Sequence, residues 1–162
     1  MILSDGTIQR MVSEGKLISG NFFPASLTPN GYDLRIGSIK IGAGDPCQEG
    51  TANPGDHFLV STMEEIHCPH DVSAQMFTRS SFARRGILGS FGFVDAGFRG
   101  QLTLSFYNSS SDPLKLKAGD RIAQIVFHRI DQPVERNYEQ RSGNYQNSSG
   151  ITVGGTASVK RD

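Results

Sequence analysis

The stretch Gln101-Leu102-Thr103-Leu104-Ser105-Phe106 indicates the fold class, because its apolar and polar residues alternate with the period of a β-strand. Residues 72–77 and 122–127 are further strand candidates, and turn residues separate the three segments. The chain of 162 residues contains 19 glycines and 7 prolines, which indicates many turns between short strands. The sequence therefore predicts a mainly β protein, a sandwich or barrel.

One helix is expected before the strands. Ser4 can serve as its N-cap, and Ile8, Met11 and Val12 follow helical spacing before Gly15 breaks the pattern. We expect residues 1–140 to form one β domain. Residues 141–162 are rich in serine, asparagine, glycine and threonine, a composition typical of a disordered tail and equally of a tail that orders over a ligand.

The overall charge gives no sign of a nucleic-acid or membrane partner. Sixteen basic and sixteen acidic residues cancel, so an anion site would have to be a local cluster. No apolar run reaches the roughly 20 residues needed to span a bilayer. The start lacks the features of a signal peptide. With two cysteines and no disulfide framework, a cytoplasmic location is the simplest expectation.

The basic residues concentrate once, at Arg79-Ser80-Ser81-Phe82-Ala83-Arg84-Arg85. Guanidinium groups and hydroxyl donors placed close together are what a nucleoside triphosphate requires. A basic turn with capping serines would have the same residues, so this segment alone leaves both interpretations open.

The segment Gly92-Phe93-Val94-Asp95-Ala96-Gly97-Phe98-Arg99-Gly100 suggests a tight hairpin that presents a carboxylate. A carboxylate held in this way can orient and deprotonate a water molecule. An aspartate that bonds to its own turn is the alternative.

Two other segments invite functional interpretations. Asp120 and Arg121 follow a turn and could form a structural ion pair, with Gln124 as a polar residue in an apolar strand. The run His67-Cys68-Pro69-His70 resembles a zinc motif, but ligands at this spacing on an extended segment do not converge well. We expect no metal there.

Four segments together, in order, resemble the motifs of the dUTPase / dCTP deaminase family. Asn30-Gly31-Tyr32-Asp33-Leu34 is similar to the first motif and Arg79-Ser80-Ser81 to the second. Residues 92–100 and 119–124 are similar to the third and fourth, and residues 1–5 are similar to the start of dCTP deaminases. The resemblance covers about residues 1–130, with a looser match to about 153.

The resemblance implies a distorted jelly-roll-like, dUTPase-like fold that forms a homotrimer with active sites shared between subunits. Asp95 would hold the attacking water, and Phe98 would pack on the deoxyribose. The other residues that the resemblance places at the substrate are Arg79, Ser80, Ser81, Arg84 and Gln124 and, on the hairpin that contacts the base, Gly92 and Phe93. Mg²⁺ is the expected cofactor, with Asp33 near it through water or phosphate.

The residue at position 105 distinguishes the two reactions of this family, deamination of dCTP and hydrolysis of dUTP. Its deaminases have Thr-Leu-Glu on this strand, with a glutamate that shuttles protons, whereas this chain has Thr103-Leu104-Ser105. A serine hydroxyl is not ionised near neutral pH, and no acid lies between Gln101 and Asn108. We therefore expect a dUTP diphosphatase that forms dUMP and pyrophosphate. The alternatives are a dCTP deaminase or bifunctional enzyme, and a non-catalytic deoxynucleotide-binding regulator.

The tail resembles the deaminases more than ordinary dUTPases. The glycine- and phenylalanine-rich fifth motif is not found, and Ser142-Gly143-Asn144-Tyr145-Gln146 is similar to the deaminases' Tyr-Gln segment. We expect Tyr145 and Gln146, with Arg141, to close over the substrate.

Overall fold

A computed structural model describes residues 1–154. It contains ten β-strands, three short α-helices and one 3-10 helix (Pro24–Ser26). The α-helices are α1 (Asp5–Ser13), α2 (Ser80–Ala83) and α3 (Tyr138–Arg141). The strands are β1 (Leu17–Gly20), β2 (Leu27–Thr28), β3 (Gly31–Ile41), β4 (Glu49–Ala52), β5 (His57–His67), β6 (Val72–Thr78), β7 (Ile87–Ser90), β8 (Arg99–Asn108), β9 (Leu114–Lys117) and β10 (Arg121–Arg129).

The main sheet has eight strands and curves until its ends approach each other. Its order is β6-β10-β3-β5-β8-β7, with β1 added beside β5 and β2 beside β3, and β4 pairs with β9 separately. The terminal strands β6 and β7 lie so close that a Cβ on Gly89 would be 2.3 Å from Thr78 Oγ1. The predicted mainly β, barrel-like fold is confirmed.

The three predicted strands all form. Leu102, Leu104 and Phe106 of β8 point into the core, as the alternation predicts, while the residues between them are partly exposed or exposed. Residues 72–77 lie in β6 and residues 122–127 in β10, and the two strands pair with each other. The hydrophobic core lies inside the curved sheet. The residues of β8 that alternate with its core residues face outward, where they can contact other segments.

The predicted N-terminal helix is α1, and its residues Ile8 and Met11 are buried. Ser4 occupies the N-cap position, but its hydroxyl donates to Thr7 Oγ1 at 3.3 Å rather than accepting a backbone N–H. Both cysteines have free thiols. Within residues 1–154, no helix is both long and apolar enough to cross a bilayer.

The predicted ion pair between Asp120 and Arg121 is wrong. The Asp120 carboxylate accepts the backbone N–H of Lys117 at 3.0 Å, which closes the turn before β10. Arg121 instead approaches Asp33 on the neighbouring strand β3, at 3.6 Å. Arg121 lies opposite Arg35 in the register of β10 against β3, and its guanidinium reaches the Asp33 carboxylate two residues away on the same face of β3.

Candidate active site

The loop that presents Asp95 is a turn held by its own backbone and by two neighbouring segments. The Phe98 N–H donates to the Asp95 carbonyl at 3.1 Å, and Gly97 between them has a φ of 86°. This positive φ is typical of the third position of a type II turn and favours glycine. Val94 exchanges two backbone hydrogen bonds with Ala74 of β6, both 2.9 Å long. The carboxylate therefore stands on a fixed backbone.

The Asp95 side chain is exposed on the wall of a cleft of about 510 Å³. Its carboxylate has no hydrogen bond or ion pair with any other side chain or backbone group of residues 1–154. An unpaired exposed carboxylate can accept a hydrogen bond from a water molecule or from a ligand. The turn-residue alternative is not what the structure shows, because only the backbone carbonyl of Asp95 closes the turn.

Aromatic residues give the cleft its apolar side. Phe98 is 5 % exposed and packs edge-to-face against Tyr138, with ring centroids 5.5 Å apart. Phe93 is exposed and lines the same cleft, as does Tyr145 of the tail. Rings in this arrangement can pack on a sugar or a base. Gly92 and Phe93, Phe98 and Tyr145 thus share one cleft with Asp95.

Asp95 also affects a buried thiol beneath the hairpin. Cys68 is 1 % exposed, and its backbone exchanges hydrogen bonds with Gly97 and Phe98. Burial, and secondarily the nearby charge of Asp95, raises the pKa of the Cys68 thiol to about 12. The thiol therefore stays protonated and serves as an apolar support for the loop.

The tail forms the remaining wall of the cleft. The Gln146 side chain bridges the hairpin: its Oε1 accepts the Arg99 N–H at 3.0 Å and its Nε2 donates to the Gly97 carbonyl at 3.1 Å. The Gln101 N–H donates to the Ser148 carbonyl at 2.8 Å. Gln146 thus attaches the tail to the loop that carries Asp95, and direct contact of this residue with substrate stays a prediction.

The predicted phosphate-binding residues lie elsewhere on the chain. Arg79, Ser80, Ser81, Arg84 and Gln124 do not line the cleft that contains Asp95. Ser80, Ser81 and Arg84 are exposed around the single turn α2, and they make no side-chain hydrogen bond within the described residues. Their roles stay predictions, and one chain by itself does not bring them to Asp95.

Asp33 is a buried carboxylate that contacts the second group of residues, the predicted phosphate-binding residues around α2. It is 5 % exposed, and its Oδ2 lies 2.9 Å from Arg79 Nε and 3.6 Å from Arg121. Burial raises the pKa of the Asp33 carboxyl, and the two guanidinium groups oppose that rise. Arg79 also donates to the Arg121 carbonyl at 2.9 Å. Asp33 therefore orients an arginine, a role that its motif alone did not indicate.

Tyr138 is a cleft residue that the sequence analysis missed. It packs on Phe98, and its hydroxyl accepts the N–H of Tyr145 at 3.0 Å. The helix that carries it is closed by a capping box between Asn137 and Gln140. The spacing Asn-x-x-Gln was the available sequence signal for this helix.

Comparison with known proteins gives the family of this chain. The sequence profile of the family described as dCTP deaminase-like matches residues 45–130. The chain belongs to the dCTP deaminase-like family. It is 42% identical over 154 residues to a dCTP deaminase of Pyrococcus horikoshii, covering 92% of this chain and 94% of that protein. It is 36% identical over 158 residues to a probable deoxyuridine 5′-triphosphate nucleotidohydrolase of Sulfolobus islandicus rod-shaped virus 1, covering 94% of this chain and 98% of that protein.

Solved structures confirm the fold. The 2′-deoxycytidine 5′-triphosphate deaminase of Agrobacterium tumefaciens superposes with a TM-score of 0.70 at 24% identity. That match covers 80% of this chain and 48% of that chain, so this chain spans about half the length of that protein. The EIAV dUTPase gives 0.51 at 20% identity, covering 68% of this chain and 84% of that chain. The dUTPase-like fold expected from the motifs is therefore correct.

The expectation of a dUTP diphosphatase is wrong. Relatives that match nearly the whole chain at 42%, 39% and 40% identity are named dCTP deaminase. The expectation rested on the serine at position 105 and on the lack of an acidic residue between Gln101 and Asn108. Groups that transfer protons can also come from a neighbouring strand, and the residues of one strand do not reveal them.

Proposed function

We propose that the chain is a dCTP deaminase, which converts dCTP and water to dUTP and ammonia. The observation that carries the proposal is Asp95, an unpaired carboxylate on a rigid turn at the wall of an aromatic cleft. The support from comparison is 42% identity with a curated dCTP deaminase over 92% of this chain. The cleft is large enough for a nucleoside, since small-molecule sites typically occupy about 300–1,000 Å³.

In the proposed reaction, the cytosine ring lies in the cleft and Asp95 binds the water that attacks C4. A carboxylate fixed by its backbone can accept a proton from this water as the oxygen–carbon bond forms. Backbone groups of the loop near Gly92 and Phe93 contact the base. Phe98 packs on the deoxyribose and leaves no room for a 2′-hydroxyl. Each of these roles depends on the position of the hairpin between β7 and β8.

The triphosphate would be bound by the second group of residues, around α2. Arg84, Ser80 and Ser81 are exposed, and they have no side-chain hydrogen-bond partner within the described residues, so their donors are available for phosphate oxygens. Arg79 is already oriented by Asp33. Guanidinium groups held in this way suit bidentate contacts with phosphate.

We propose that the two groups meet across subunits of a homotrimer. Within one chain, the α2 residues and Asp95 line different surfaces. Phe77, Leu88, Phe93 and Tyr107 are each at least 44% exposed, a set of large apolar side chains that association could bury. Light scattering on the purified protein should give three times the chain mass of 17.6 kDa. A monodisperse monomer that remains active would contradict the shared site.

We propose that Mg²⁺ enters with the triphosphate. The described residues include no group of three His, Cys, Asp or Glu side chains placed to hold a metal. The Asp33 carboxylate is buried, and its Oδ2 is already engaged by two arginines. A hard cation that keeps its waters and uses substrate phosphate oxygens is compatible with such a site. Bound Mg²⁺ would neutralise phosphate charge, and Asp33 would affect it only through Arg79.

The test is to incubate the protein with dCTP and Mg²⁺ and to measure ammonia and dUTP. Asp95→Asn should lower ammonia release by at least about 100-fold, a typical minimum for loss of a general base, while dCTP binding by calorimetry changes little. Asp45→Asn is the matched control, because Asp45 is also exposed and unpaired within residues 1–154 but lies outside the cleft. Cleavage of dUTP to dUMP and pyrophosphate, with no ammonia from dCTP, would overturn the proposal.

A further inference from the structure

Deamination of cytosine moves protons at three places: the attacking water, ring atom N3 and the leaving amino group. The water oxygen bonds to C4 and N3 gains a proton, and ammonia then leaves with a further proton as the C4–N bond breaks. One carboxylate would have to serve both sides of C4. A side chain whose charge changes near neutral pH is best suited to a second proton-transfer role, and histidine is that side chain.

A histidine contacts the face of the sheet beside the cleft. His57 is exposed at the start of β5, and its Nε2 lies 2.9 Å from Ser105 Oγ on the adjacent strand β8. Ser105 pairs directly with Leu59 and is two residues from Thr103 on the same face of β8. Leu59 and Thr103 both line the cleft, whereas Ser105 and His57 lie just outside its lining. The His57–Ser105 pair therefore lies at the margin of the cleft, on the wall that continues from Thr103.

From this juxtaposition we propose that Ser105 and His57 form a proton-transfer dyad for the deamination. The inference rests on the proposed function. Ser105 is assigned contact with the cytosine ring, and His57 is a positioning residue that acts through the serine hydroxyl. The hydroxyl passes protons without being ionised itself, because each proton that it donates is replaced from the imidazole across a 2.9 Å contact.

The proton balance of the proposed cycle closes. As water attacks C4, Asp95 takes one water proton, and N3 receives a proton from Ser105, which is resupplied by the His57 imidazolium. The C4 hydroxyl proton then returns through Ser105 to His57, while Asp95 gives its proton to the amino group. The C4–N bond breaks, ammonia leaves, and C4 becomes the carbonyl of dUTP. Asp95 and His57 end in their starting protonation states.

The elements packed against His57 carry few charged or titratable side chains near it. Tyr107 is its cross-strand partner on β8, and Asp56 precedes it in the chain. Strand β7, on the other side of β8, carries no titratable side chain. On β3, the ammonium of Lys40 donates to the Gly44 carbonyl.

The test is the pH dependence of ammonia release from dCTP, measured as kcat for His57→Asn and for the control His67→Asn. His67 lies at the opposite end of β5 and contacts the Gly15 carbonyl, so its replacement should leave the profile unchanged. In the unaltered protein, kcat should fall with rising pH between about pH 5 and 8. His57→Asn should lower kcat by about 10²–10⁴-fold and abolish this limb.

Two more variants separate the possible outcomes. Ser105→Ala should reproduce the loss, and its combination with His57→Asn should add nothing further, because the pair acts as a unit. Ser105→Ala also tests the dyad where His57→Asn does not fold, as judged by circular dichroism. Ammonia release by the unaltered protein together with a wild-type pH profile in both variants would overturn the dyad but leave the proposed function standing. Absence of ammonia release from the unaltered protein would overturn both.

Discussion

The attachment of the tail to the loop that carries Asp95 can be tested through one side chain. Gln146 makes two hydrogen bonds to backbone groups on either side of Phe98, at 3.0 and 3.1 Å. Gln146→Ala removes both and leaves the other tail contacts, such as the bond between the Gln101 N–H and the Ser148 carbonyl, in place. The perturbation therefore weakens closure without deleting the segment.

The magnitude follows from the two lost bonds. A hydrogen bond in a protein contributes about 1 kcal/mol net, because water replaces the lost partner. Two bonds amount to about 2 kcal/mol, so the open population of the tail should rise by about 30-fold. Amide hydrogen exchange of peptides covering residues 144–154 should accelerate by a similar factor, since local opening governs exchange there.

Gln132→Ala is the matched control, because Gln132 is exposed and makes no side-chain hydrogen bond within the described residues. Its exchange profile should equal that of the unaltered protein. Exchange in Gln146→Ala within twofold of the control, with the melting temperature retained, would refute the docking argument. Accelerated exchange with unchanged dCTP turnover would show that the tail docks but does not assist the reaction.

The remaining predictions concern the buried residues Asn108, Cys68 and Asp33. Asn108→Ala should lower the free energy of unfolding in urea by about 2–4 kcal/mol, because its fully buried amide bonds two backbone carbonyls and a serine that would lose their partner; a loss below about 1 kcal/mol would contradict this. In the native protein at pH 8, Cys47 should react with a thiol reagent and Cys68 should not, and both should react in denaturant. The raised pKa of Cys68 favours the protonated thiol in the folded state, so stability should be retained below pH 9.0 and fall by up to about 1.4 kcal/mol per pH unit towards about pH 12; a Cys68→Ala variant with the same slope would argue against this. Asp33→Asn should raise KM for dCTP more than it lowers kcat, because Arg79 loses the carboxylate that orients it, and unchanged steady-state kinetics would refute that role.

The local pattern of apolar and polar residues was sufficient to predict these strands and the N-terminal helix. The alternation at 101–106 predicted which side chains of β8 face the core, and the spacing of Ile8 and Met11 predicted the buried face of α1. Both periodicities follow from backbone geometry alone. The turn around Asp95 was also readable, because Gly97 supplies the positive φ that the turn needs.

The partners of side chains could not be read in the same way. Arg121 was expected to pair with its neighbour in sequence, but the pairing of β10 with β3 brings it within reach of Asp33, two residues from its register partner Arg35. His57 lies 48 residues from Ser105 in sequence, and only the register of β5 against β8 brings them within hydrogen-bond distance. Register depends on the packing of the whole sheet, so no local spacing encodes it.

The sequence by itself determined the strand pattern, the family motifs and the carboxylate on its hairpin, because each depends on residues close together in the chain. The tertiary structure decided what surrounds that carboxylate: an aromatic cleft closed by the tail, with the basic residues of α2 on a different surface. It also decided that a serine without an acid on its own strand lies beside a histidine from the next strand. The physical reason is that chemistry depends on distances through space, and a curved antiparallel sheet brings distant parts of a chain together.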